Sequence, residues 1–152
     1  MMINLYGETI YSINDVCNIV EKRAMRNGFF ELHQSLNSEK QGFWLNPRSA
    51  FSVHDTPGIY SIFKDKHLEY IGQGVSIGGR LSRFVKGVFM KNRHDEGFSA
   101  ADKWAAWHGR KLDDCYVMFA EYYDFDQKEY GYSRETIEHH LIMRHNPRMN
   151  VK

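Results

Sequence analysis

The chain has 152 residues, of which 42% are hydrophobic and 26% charged, and its formal net charge is +1. That length suits one domain, or one domain with an extension, and the composition is ordinary for a globular protein. No long uncharged apolar run argues for a membrane span, and Met1 to Glu8 lacks the basic and apolar regions of a secretory signal, so a cytoplasmic location is expected.

Residues 1–56 read as an N-terminal helical extension packing on a core formed by residues 57–152. Ser12 or Asn14 is the expected N-cap of a helix whose apolar stripe is Val16, Ile19, Val20 and Ala24, ending at Asn27-Gly28. Gly42 to Pro47 is expected to be a loop with buried aromatics. A β-hairpin follows, with strands Gly58 to Phe63 and Leu68 to Gly72 joined by the polar turn Lys64-Asp65-Lys66-His67. Gln73-Gly74-Val75 is expected to turn the chain, and Ser76 to cap a helix with apolar positions Ile77, Leu81, Phe84, Val85 and Val88. Ser99, with Asp102 three residues on, opens a further helix that carries Trp104 and Trp107 and stops at Gly109. Cys115 to Tyr123 is rich in aromatic and β-branched residues and reads as a strand. Ser133 caps a last helix, which Pro147 stops. Cys17 and Cys115 lie far apart within apolar patterns and are expected to be buried free thiols in a reducing compartment. The expected fold class is α+β, a small antiparallel sheet covered by helices.

The last helix carries an anomaly. Successive helical residues advance by about 100°, so Ile137, Leu141 and Ile142 define an apolar arc about 140° wide, and Glu138 falls inside it. A carboxylate there is costly unless it is paired or holds a cation. A structural salt bridge and a functional carboxylate are both open at this point. Arg80 lies at the edge of its helix's apolar stripe, near the core boundary; taken alone it is an ordinary snorkelling arginine. Tyr60 and Tyr70 can share one face of the hairpin, where strand tyrosines usually fill the core.

The ordered set changes these weights. Gly58-Ile59-Tyr60, Tyr70-Ile71-Gly72, Arg80 ten positions after Tyr70, Glu138-His139-His140-Leu141-Ile142 and Pro147-Arg148-Met149-Asn150-Val151 together resemble the GIY-YIG nuclease superfamily. The closing helix is similar to that of the nucleotide-excision-repair incision subunit. The resemblance implies a three-stranded antiparallel sheet flanked by helices, with an insertion around residues 86–113. It also implies a DNA endonuclease that hydrolyses phosphodiesters with one divalent metal, Mg²⁺ or Mn²⁺. By matching position, Glu138 is the metal-binding carboxylate and Arg80 contacts the scissile phosphate. Tyr60 and Tyr70 orient or deprotonate the attacking water, and Asn150 supports the site. Tyrosine has a reference pKa of about 10, so roughly one molecule in a thousand is ionised near neutrality. Tyr60 is the preferred base of the two.

Two positions depart from the pattern. Phe84 stands where many relatives have a histidine or tyrosine, and Gln73 where some have a lysine. His145 and His108 are the nearby substitutes, and a structural role is the better reading of both. The basic residues Arg83, Lys86, Lys91 and Arg93 suit contact with a DNA backbone. Specificity is expected from residues 1–56, the insertion, a partner or dimerisation. The arrangement resembles the family's restriction enzymes, which would cut double-stranded DNA as a homodimer. The alternatives are a relaxed-specificity repair or phage nickase, and a catalytically inactive or weakly active DNA-binding module.

Overall fold

A computed structural model describes residues 2–3, 5–7, 9–34, 43–46, 56–89, 99–124 and 130–151. The elements run β1 (Met2–Ile3), β2 (Thr9–Ile10), α1 (Ile13–Asn27), β3 (Phe30–Gln34), β4 (Phe43–Asn46), β5 (Gly58–Lys64), β6 (His67–Gly74), α2 (Ile77–Phe89), α3 (Ala100–His108), β7 (Cys115–Glu121), α4 (Arg134–His145) and a closing 3-10 turn, Arg148–Asn150. The fold class is α+β, as expected.

Local chemistry explains the helix starts. Ser12 caps α1 in a reciprocal box with Asp15, its hydroxyl accepting from the Asp15 N–H and the Asp15 carboxylate accepting from the Ser12 N–H. Ser76 accepts from the Gly79 N–H at the start of α2, Ser99 from Asp102 at α3 and Ser133 from Thr136 at α4. Helix α4 ends where Asn146 takes the left-handed conformation, one residue before Pro147.

Five described strands form one antiparallel sheet in the order β4-β3-β7-β5-β6. This corrects the expected three-stranded sheet. The added strands, β3 and β4, come from the N-terminal segment, and the stretch expected to be a loop from Gly42 to Pro47 contains β4. That segment also forms a short β1–β2 ribbon. Strand β6 extends through Gln73 and Gly74, where a turn was expected.

Side-chain alternation divides the core into two layers. On one face Tyr60, Ile62, Val117 and Phe119 pack with Ile77, Leu81, Phe84 and Val88 of α2 and Trp104 of α3. On the other, Ile59, Ile71, Ala120 and Tyr122 pack with Val16, Cys17 and Val20 of α1 and Ile137 and Leu141 of α4. Both cysteines are buried and free. Helix α4 packs against β6, the outer strand, and against α1. It therefore turns one side to α1 and the other past the sheet edge, into the space beside α2. Among the described residues no helix is long and apolar enough to cross a membrane.

Candidate active site

The β5–β6 register places Tyr60 opposite Gly72 and Tyr70 opposite Ile62. Both tyrosines thus project from the same sheet face, with ring centroids 6.1 Å apart and planes tilted by 46°. Gly72 is required by this arrangement. A Cβ there would stand 2.5 Å from both Cζ and the hydroxyl oxygen of Tyr60. The glycine leaves room for the Tyr60 ring to lie across β6.

Helix α2 brings Arg80 to the same place from its first turns. The Arg80 stem crosses Gly74, whose Cβ would lie 2.8 Å from the Arg80 Cγ. The residue is exposed, so it reaches further into solvent than the expected core boundary, and its side chain lines the cleft. Arg83 follows one turn later, also exposed and on the cleft wall. Lys86 is exposed on α2 outside that wall. Lys91 and Arg93 lie outside the described residues.

Strand β6 is the sheet's outer strand, so alternate backbone groups along it face away from β5. Two side chains meet that edge. Asn150 accepts the Ile71 N–H through Oδ1 and donates to the Ile71 carbonyl through Nδ2, both at 2.9 Å. Two residues on, the Gln73 N–H faces the same way, and it lowers the pKa of Glu138. The amide of Asn150 acts as one more peptide unit on the strand, and Glu138 takes the next position along the edge. Replacing Asn150 by alanine strands both Ile71 backbone groups, and a loss of about 1–3 kcal/mol of stability is expected in urea unfolding. Asn150→Asp, which keeps only the acceptor, should lie between the two.

Tyr60, Tyr70, Arg80, Arg83, Glu138 and Asn150 thereby line one cleft of about 460 Å³, together with Lys103 and the first residues of α3. Lys103 had no signal in the sequence. Its ammonium donates to the Met149 carbonyl at 3.0 Å and to the Val151 carbonyl, so α3 holds the turn that presents Asn150. Its partners are distant in the chain, and local pattern does not reveal them.

Burial, then the Glu135 charge, push the Glu138 carboxyl above the usual carboxylate range, while Arg80 and the Gln73 N–H pull it back. Burial, then the neighbouring Tyr70, push Tyr60 far up, and burial followed by Glu138 pushes Tyr70 up. The neighbouring hydroxyl raises Tyr60 and lowers Tyr70. Tyr60 is 6% exposed, whereas Tyr70 is only partly buried. This ordering is the reverse of the preference for Tyr60 as base, because burial at Tyr60 opposes the phenolate.

Phe84 is core, edge-on to Trp104 at 5.7 Å between centroids. Neither His108 nor His145 lines the cleft. His108 contacts Glu69 at 2.9 Å, and Arg148 forks onto the same carboxylate at 2.7 and 3.0 Å. His145 contacts Glu21 of α1. Among the described residues no three His, Cys, Asp or Glu side chains gather as a metal cluster. In the cleft, the Glu138 carboxylate beside the Tyr70 hydroxyl offers oxygen donors of the kind a hard divalent cation takes, with room for water and substrate oxygens.

No protein-family model, curated protein or solved structure matches this chain.

Proposed function

We propose that this protein is an endonuclease of the GIY-YIG type that hydrolyses phosphodiester bonds in DNA with the aid of a divalent cation, Mg²⁺ or Mn²⁺. The observation that carries the reading is the meeting of Tyr60, Tyr70, Arg80 and Glu138 in one cleft, from two strands and two helices. The backbone clamp by Asn150 at the edge of that cleft adds to it. Buried free thiols agree with a reducing, cytoplasmic setting.

Each residue has a chemical task. Arg80 offers its planar fork to the non-bridging oxygens of the scissile phosphate, and Arg83 binds the flanking backbone. Glu138 would hold the cation, whose charge, when bound, stabilises the phosphoryl group and the departing alkoxide. Tyr70, a neutral phenol beside Tyr60, orients the attacking water and relays its proton: its oxygen takes the water's proton as the phenolic proton leaves to solvent. The water oxygen bonds to phosphorus as the P–O bond to one nucleoside breaks, and the departing alkoxide takes a proton from solvent, leaving a phosphate on the other side of the nick. Cutting both strands with one such site per chain calls for a homodimer.

Incubation of supercoiled plasmid with Mg²⁺ or Mn²⁺ tests the reading. Open-circular or linear product supports it. Wild-type protein that leaves DNA and RNA intact with every divalent metal tried overturns it, and binding without cutting would assign the fold to a DNA-binding module. Within the reading, Tyr70→Phe should lower kcat about 10²-fold, the low end for loss of a general base. Tyr60→Phe should cost less, about tenfold or about 1.4 kcal/mol, because it removes a hydroxyl that stands behind Tyr70 and leaves Tyr70 in place. The opposite order in single-turnover nicking would return the base to Tyr60.

A further inference from the structure

Gln73 is held by α4. Its main-chain N–H, like that of Ile71 two residues before, faces away from β5 on the edge where α4 packs, and its side-chain Oε1 accepts from Arg134 Nε at 3.3 Å. Arg134 and Glu138 are four residues apart, so they stack on the same side of the helix. Arg134 is itself fixed. It is 9% exposed, its guanidinium is paired with Asp124 Oδ1, and its main-chain N–H donates to Asp124 Oδ2 at 2.9 Å. Asp124 follows Tyr122, whose buried hydroxyl donates to the Tyr132 carbonyl at 2.7 Å, tying the end of β7 to the approach of α4.

A buried ion pair adds little net stability compared with apolar packing, so its value here is better sought in geometry. The pair locks the guanidinium in one orientation, and the guanidinium ties Gln73 to α4, which holds the outward edge of β6 against the turn of α4 that carries Glu138. We propose that Asp124, Arg134 and Gln73 form a positioning relay that sets the orientation of the Glu138 carboxylate in the cleft. The proposal rests on the nuclease reading for its catalytic consequence, but its structural core is independent of it. None of the three residues touches the scissile phosphate in this account. They act through Glu138.

The test uses the full chain and two readouts, plasmid nicking and backbone amide hydrogen exchange followed by NMR. Arg134→Gln is expected to lower kcat roughly 10–100-fold, as loss of a partner to a metal-ligating side chain typically does, and to raise the Mg²⁺ concentration at half-maximal rate. KM for plasmid should hold, because Arg80 and Arg83 are untouched. The Gln73 amide should lose protection while the Ile71 amide, held by Asn150, keeps it. Arg134→Lys keeps the charge without the fork, and an intermediate kcat is expected. Gln73→Ala leaves the Asp124–Arg134 pair and the fold in place and should repeat the loss in kcat, which covers the case in which Arg134→Gln fails to fold. Wild-type kcat in Gln73→Ala, or an unchanged Gln73 amide in folded Arg134→Gln, overturns the relay. A wild type that cuts nothing sinks the nuclease reading instead, and the exchange data still decide whether Arg134 holds Gln73.

Discussion

Glu138→Ala is expected to abolish plasmid cutting, with a loss of about 10³-fold or more, while the chain stays folded. The magnitude follows from the task assigned to the carboxylate. Holding the cation that neutralises phosphoryl charge contributes several kcal/mol to the barrier, and about 1.4 kcal/mol is a factor of ten in rate. The accompanying stability change distinguishes this role from a structural one. Burial, then Glu135, raise the Glu138 pKa above its reference value of 4.5. The ionised carboxylate is therefore less favoured in the folded chain than in the unfolded one. Its penalty is full above the raised folded-state pKa and is gone below the unfolded value. In metal-free buffer at neutral pH, Glu138→Gln should thus melt at or above the wild-type temperature, and the two melting curves should converge as the pH drops below about 4.5. A Glu138→Gln variant that melts several degrees lower at neutral pH would instead make Glu138 a structural anchor of the β6 edge. Carboxylates retained where they weaken the fold are a mark of functional sites.

The parts of this fold legible in the sequence are those written in short-range chemistry. Ser12, Ser76, Ser99 and Ser133 cap their helices because a hydroxyl reaches an N–H three residues on. The hairpin is legible because its apolar segments and polar turn are adjacent. Strands β3 and β4 were missed for the opposite reason. Strand β3 pairs with β7 across most of the chain, Phe30 with Val117, and short strands with distant partners leave little local signal. The residue type of Gly74 alone suggests a turn. It is a strand residue, and its lack of a side chain serves Arg80.

The site was legible as a set of residues and not as an arrangement. Spacing singles out Glu138, because a carboxylate on an apolar arc is an anomaly in any helix. Spacing does not say which tyrosine is more buried, and that decides which phenol is better placed to take a proton. Nor does it reveal that Asn150 clamps the outward edge of β6 beside Glu138, since both residues are far from that strand in the chain. Phe84 illustrates the limit from the other side. Its departure from the family pattern was visible, but only its packing on Trp104 shows that the position belongs to the core.

Arg80→Ala should be the second severe loss, about 10³-fold in kcat/KM, the range for removing a side chain that meets charge developing on a phosphoryl group. Arg80→Lys should recover little of it, because a single ammonium cannot reproduce the planar fork. Gly74 provides an independent route to the same test. A Cβ at Gly74 would come within 2.8 Å of the Arg80 Cγ and 3.0 Å of its Nε, yet Gly74 has no positive φ, so the backbone accepts alanine. Gly74→Ala must then displace the Arg80 side chain while leaving the strand pairing in place. An intermediate fall in kcat/KM, of about 10–100-fold, is expected with a melting temperature close to wild type, since a 1 Å misplacement of a catalytic group can cost about 10²-fold. In the Arg80→Ala background the same glycine change should have no further effect on rate, because the side chain it displaces is gone. Full activity in Gly74→Ala would mean that the Arg80 guanidinium finds the phosphate without support from β6. A loss that persists undiminished in the double variant would place the effect of Gly74 in the strand itself.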